Sequence, residues 1–290
     1  MATPPRSDAP DRGGLVRGLG LLEATTLIVG SVIGSGIFFA PAIMAGYLQT
    51  PGLLLGLWVL GGVLTLFGAL SYGEMAAALP RALLLGTLGV AAVYCSAVAV
   101  YLYMVPIGEM AMVRESRIAT EAAVRMIGSA GGAFVAVAIL VSTLGCVNGL
   151  TLAGPRVVFA MGRDGLFFRA AARVHPRYRT PATAIGLHGL VAALLTLTGT
   201  YSDLLTLTAF SSLLFNVLTI VGLFVLRAKQ ADLHRPYRVW GYPVLPALYI
   251  LVSAFFLVYI PVAEPRNAGL GLGITALGLP AYFYWRRARV

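Results

Sequence analysis

The stretch Gly30-Ser31-Val32-Ile33-Gly34-Ser35-Gly36-Ile37-Phe38, with Pro41 one turn further on, lies inside an apolar run over residues 22–46. Two glycines flanking a serine are poor helix formers, so the run predicts a membrane helix that unwinds at residues 34–36. In hydrocarbon an unwound turn is tolerated only where protein or a polar cavity receives its freed N–H and C=O groups. The N–H groups opening the outer half-helix lie at the positive end of its dipole, which suits a carboxylate or another anion. Discontinuous helices at the bilayer midplane are the usual substrate site of secondary transporters. A second reading stands beside this one. The glycines also permit close approach of neighbouring helices, as in small-x-x-x-small packing.

Composition fixes the solvent. The 290 residues are 59% hydrophobic and only 11% charged, with mean hydropathy +0.86. Soluble domains carry about 25% charged residues, so the chain is read as an integral membrane protein. With about 20 apolar residues needed per crossing, eight spans are expected. They cover residues 22–46 (interrupted at 34–36), 53–78, 83–106, 132–159, 182–198, 204–226, 243–262 and 270–285. The fold class is therefore all-α, a polytopic membrane helix bundle of about eight transmembrane helices.

An even number of spans puts both termini on one side. With the N-terminus in the cytoplasm, 17 of the 21 Lys and Arg residues fall on cytoplasmic segments, leaving Arg114, Arg117, Arg125 and Arg266 outside. That is the positive-inside pattern. It accounts for the net charge of +10 without a nucleic-acid partner. Compact loops and short tails fit a bacterial inner membrane. Cys95 and Cys146 both lie in apolar stretches, without metal-ligand spacing. Residues 1–17 read as a disordered tail. The polar segment 107–129 is expected to form a short helix over the outer face. The basic segment 156–181 is expected at the lipid headgroups, and 227–242 as an extended cytoplasmic linker.

A wider set of motifs is more specific. The opening run is followed by Thr50-Pro51-Gly52, Trp58, Gly68-Ala69-Leu70-Ser71-Tyr72-Gly73-Glu74 and Leu79-Pro80-Arg81. Later come Asn148-Gly149-Leu150, Ala153-Gly154-Pro155-Arg156, Ala160-Met161-Gly162-Arg163-Asp164-Gly165 and Arg235-Pro236-Tyr237-Arg238-Val239-Trp240-Gly241-Tyr242-Pro243. In this order the chain resembles the amino acid permeases of the amino acid–polyamine–organocation superfamily. The resemblance implies a five-plus-five inverted-repeat transporter fold, usually within twelve helices, with an amino acid held between broken first and sixth helices. The substrate carboxylate would be held by the backbone of Gly34, Ser35 and Gly36, with Val32 and Ile33 lining the approach. The candidate substrate site is thus Val32, Ile33, Gly34, Ser35, Gly36 and Ile37.

The chain departs from that pattern after Pro80-Arg81-Ala82. Leu83-Leu84-Leu85-Gly86-Thr87 resembles the seventh helix of the family, so helices three to six are expected to be missing, and with them half of the implied site. Residues 18–82 are then the first two spans, and 83–290 six spans resembling the C-terminal half. The function implied is amino acid transport by alternating access as a secondary active permease. The alternative is a non-transporting membrane protein, either a deletion remnant or a helical partner subunit. The partners implied are an amino acid substrate, the lipid bilayer, and a proton or sodium ion for coupling; no cofactor or metal is expected, and the oligomeric state is open.

The remaining polar residues carry plainer readings. Unwound carbonyls near Val29 and Val32, with Ser142 or Thr143, resemble a sodium site; the plainer reading has both hydroxyls bonding their own helix. Glu74 is expected as an ion-pair member close to Arg81, Glu23 as a helix-start residue, His188 as a packed imidazole, and Asn148 as an interhelical hydrogen-bonding group. No H-E-x-x-H, G-x-S-x-G or P-loop string occurs, and no enzymatic activity is expected.

Overall fold

The computed structural model describes residues 21–76, 80–113, 115, 117–197, 199–230, 232, 235 and 237–287. The expected N-terminal tail lies outside them. The described residues form helices and connecting turns with no strand. In order they are α1 (Leu21–Val32), α2 (Gly36–Leu48), α3 (Pro51–Ala76), α4 (Pro80–Met104), α5 (Ile107–Met110), α6 (Ile118–Ile127) and α7 (Ala130–Arg163). A 3-10 turn (Arg169–Ala172) precedes α8 (Ala182–Thr196), α9 (Tyr201–Lys229), α10 (Val244–Ala263) and α11 (Pro265–Arg287).

Five helices (α3, α4, α7, α9 and α10) are long and apolar enough to cross a membrane, and α1 with α2 makes a sixth as one bent span. The other two expected spans are helices at the expected places with weaker credentials. Helix α8 has 15 residues, about 22 Å, against a hydrocarbon core of about 30 Å. Helix α11 is long enough, but Arg266, Asn267, a run of glycines and Pro280 dilute its apolar surface. The segment 107–129, expected as a short helix over the outer face, forms two short helices, α5 and α6.

The chain divides into two compact units. The first comprises residues 20–150 and 212–260. Its most extensive helix pair is α3 with α4, and α1 lies along α4. Gly86 marks that approach, since a Cβ there would stand 2.6 Å from Ile28. The core gathers where α2 and the ends of α3 and α4 meet the outer helices: Ile37, Leu54, Val98, Val105, Met110 and Ile118 are buried together. Short α5 and α6 thus owe their place to apolar burial.

Among the described residues, the second unit comprises 151–211 and 261–287. Here α9 opens with a reciprocal cap. The Asp203 carboxylate accepts from Thr200 N (3.0 Å) and Thr200 Oγ1 (2.7 Å), while Asp203 N donates back to Thr200 Oγ1 (3.3 Å). Asn267 of α11 donates to the free carboxylate oxygen at 3.0 Å. Phe167, Phe168 and Trp285 form an aromatic cluster with centroids about 5 Å apart. His188 packs its ring against the backbone of Gly154, the packed imidazole that the sequence led us to expect.

Candidate functional site

The first span breaks where its glycines fall. Helix α1 ends at Val32, α2 starts at Gly36, and the two are bent by 44°. Ile33 N still reaches Val29 O at 2.9 Å, the last α-type bond. Gly34 N then turns to Val32 O at 2.9 Å, and Phe38 N to Ser35 O at 3.1 Å. Ser35 occupies the N-cap of α2 in a right-handed helical conformation and makes no side-chain bond to the first turn.

Breaking a helix in hydrocarbon strands carbonyls on one side and N–H groups on the other. The carbonyl side is matched within the chain. Cys146 Sγ donates to Ser31 O at 3.1 Å, Tyr94 Oη to Val32 O at 2.9 Å, and Ser142 Oγ to Ile33 O at 2.8 Å. Ser142 and Cys146 stand one turn apart on α7 and therefore share a face. Gly145 and Gly149 flank them on that face, and a side chain at Gly149 would overlap Ser31. The small residues of α7 let its polar groups reach the end of α1.

Ser142 reaches not its own helix but the unwound carbonyls, Ile33 O at 2.8 Å and Gly34 O at 3.5 Å, while Val29 O and Val32 O accept from Ile33 N and from Tyr94. Thr143 and Asn148 are exposed. Tyr94 and Cys146 are the contributors that sequence reasoning missed. For Cys146 the signal was present, in its i, i+4 spacing from Ser142 beside two glycines.

The six candidate residues are contiguous at the break but differ in what they present. Val32 is half exposed and Ile33, Gly34, Ser35 and Gly36 are half buried, whereas Ile37 sends its side chain into the core at 3% exposure. Ile37 therefore offers a ligand its backbone alone. Gly36 is open: a Cβ there meets nothing within 4 Å. Phe38 N in the first turn is held by Ser35 O, and the start of α2 at Gly36, the positive end of the helix, adjoins free space.

A second polar centre lies at the other end of α3. Glu74, with its side chain 1% exposed, accepts from Arg227 Nε (2.8 Å) and Nη2 (2.5 Å) and from Val239 N (2.7 Å). Arg235 Nε approaches it at 3.5 Å, and Arg227 stacks on the Tyr242 ring at 3.7 Å. The expected neighbour Arg81 is exposed and is not the partner. A buried carboxylate needs several charged or N–H donors, and α9 together with the loop before α10 supplies them where one terminal arginine would not.

Apolar helices of spanning length, six crossings counting the bent pair, define an integral, multi-pass membrane protein. The profile of the family described as Amino acid permease matches residues 76–277, most of the described bundle. The chain belongs to the amino acid permease family. It is 34% identical over 213 residues to the Serine/threonine exchanger SteT of Bacillus subtilis, covering 73% of this chain and 48% of that protein. It is 33% identical over 153 residues to the human Large neutral amino acids transporter small subunit 2, covering 52% of this chain and 28% of that one. The Asc-type amino acid transporter 1 of mouse matches with the same identity and coverage. The chain thus spans about half the length of the first of these relatives and less than a third of the others.

Proposed function

We propose that the chain acts in amino acid transport across a membrane, as a secondary active permease working by alternating access. The observation that carries this reading is the asymmetry of the break. Its carbonyls are taken up by Cys146, Tyr94 and Ser142, while the N–H end of α2 adjoins open space at Gly36. An amino acid presents a carboxylate, and helix N–H groups with a positive dipole end are built for one. The substrate carboxylate is assigned to the backbone of Gly34, Ser35, Gly36 and Ile37, with Val32 and Ile33 at the approach. A proton or a sodium ion provides the coupling. The distribution of arginines supports cytoplasmic termini, and compact loops support a bacterial inner membrane.

Residues 18–82 are assigned to the first two family helices and 83–290 to the C-terminal half, joined at Pro80-Arg81-Ala82. That assignment leaves the amino-group side of the substrate without its family partner. The departure from the family pattern after Pro80-Arg81-Ala82 favours a second reading, in which the chain is a non-transporting remnant or a helical partner subunit.

Uptake of a labelled amino acid panel into proteoliposomes, wild type beside Gly36→Leu, separates the two. Beyond its chain neighbours and its own helix backbone, nothing lies within 4 Å of a Cβ at Gly36, so leucine enters the space assigned to the substrate without a clash. Transport predicts uptake by wild type and near-complete loss in the variant, with membrane insertion unchanged. Absence of uptake from folded, inserted wild type selects the second reading.

A further inference from the structure

Between α1, α2, α3 and α4 the first unit keeps a cavity of about 310 Å3. Ile28, Val32, Met44, Leu57 and Val90 make its walls apolar, and no carboxylate, ammonium or guanidinium reaches it. Protein interiors pack to crystal density, and an apolar cavity of only about 150 Å3 stays dry and takes up benzene. Two features mark the larger volume as a site. Gly61 borders it, and a Cβ there would meet nothing within 4 Å; the sequence leaves open what alanine or leucine would fill. Trp58 also borders it, with Nε1 buried and no acceptor among the described residues.

An N–H in that state wants an acceptor as strongly as a broken hydrogen bond does. None of the hydroxyls lining the cavity, on Thr65, Thr87 and Tyr94, accepts from Trp58 Nε1; Tyr94 donates to Val32 O at 2.9 Å and Thr65 to Gly61 O at 2.8 Å. The Trp58 ring is fixed edge-on to Tyr94 with centroids 5.4 Å apart, so the indole cannot turn away freely. What fits is an uncharged, apolar body carrying one acceptor.

Depth identifies its source. Helix α3 has 26 residues and is about 39 Å long, roughly 9 Å more than the hydrocarbon core. Trp58 lies seven residues in from Pro51, or about 10 Å along the axis. With α3 centred, the Trp58 backbone sits roughly 6 Å inside the hydrocarbon boundary, and because helical side chains lean towards the helix N-terminus, the ester groups of that leaflet are within the indole's reach. The rest of the cavity runs deeper, towards Thr65. Val32 and Leu57 at its rim are 50% and 41% exposed, which leaves an opening towards lipid. We propose that this cavity holds one acyl chain of a bilayer phospholipid, with Trp58 Nε1 donating to its ester carbonyl.

Native mass spectrometry of the full chain, purified with a diester phosphatidylethanolamine and compared with its diether analogue, tests this independently of transport. The expected result is one diester lipid retained per chain. Gly61→Leu brings retention to background, and Gly61→Ala lowers it partway, with circular dichroism unchanged. Trp58→Phe keeps the ring and removes the donor, and lowers retention about three- to tenfold. The diether lipid lowers it similarly, and its loss does not add to that of Trp58→Phe. No lipid on folded wild type, or retention that Gly61→Leu and Gly61→Ala both leave unchanged, overturns the site. Equal retention of diester and diether lipids overturns the Trp58 contact.

Discussion

Glu74 and the break at Gly34 both place polar groups inside an apolar unit, yet they are settled in opposite ways. At Glu74 the groups are matched by the chain itself: one carboxylate takes two donors from Arg227 and one from Val239, with Arg235 beside it. At the break the carbonyls are matched, and Phe38 N is held by Ser35 O, but the start of α2 opens onto free space at Gly36. In low dielectric a satisfied network rigidifies, whereas an unmatched group is costly unless something else completes it. The first region reads as a clamp holding the loop before α10 to α3 and α9. The second reads as a place for a ligand, and substitution should separate the two by size and by kind of effect.

The largest stability loss is expected from Glu74→Ala. It strands two guanidinium groups and an N–H that are largely out of water. Removing one partner of such a network costs about 3–5 kcal/mol, and the partial exposure of Arg227 places the expectation at the low end. Thermal unfolding in detergent measures it; a loss no larger than that of a surface substitution would break the contrast. Ser142→Ala comes next. It takes one donor from Ile33 O, and interhelical hydrogen bonds in membranes are worth only about 0.5–2 kcal/mol. A loss several-fold smaller than that of Glu74→Ala is expected. A loss equal to it would mean that the break is as rigidly clamped as the loop.

The sequence disclosed these two regions to different depths. The break was legible because its cause is local: Gly34, Ser35 and Gly36 are three successive poor helix formers, and they weaken the apolar run at that point whatever packs around them. Long apolar stretches likewise announced α3, α4, α7, α9 and α10, since span length is set by bilayer thickness. The partners were less legible. Glu74 pointed to Arg81, seven residues on, but meets Arg227, 153 residues away, and no local spacing encodes so distant a contact. Nor does any local motif pair Tyr94 with Val32, 62 residues away, whose carbonyl its hydroxyl closes. Helix α8 lies where its apolar run was expected, but at 15 residues it is shorter than the roughly 20 of an ordinary crossing.

The smallest effect is expected at a third polar cluster, on the outer helices, and it sharpens the comparison because its geometry resembles that of Glu74. Arg125 donates to Glu109 at 2.7 Å, to Glu121 at 2.9 Å and to Met104 O at 3.1 Å. Hydrogen bonds to Glu109 and then Glu121 raise its guanidinium pKa further above its ordinary value, so it carries full charge throughout the physiological range. Its surroundings differ, however: all three side chains are substantially open to solvent. Exposed pairs gain little from water-screened attraction, and salt weakens them further. The outer helices are instead held by Met110, Ile118, Ala119 and Ala122, all buried. Arg125→Gln is therefore expected to leave the melting temperature at physiological salt within the scatter of wild type. A shift as large as that of Ser142→Ala would show that donor count, and not burial, ranks the three clusters, and would undo the distinction drawn between clamp and site.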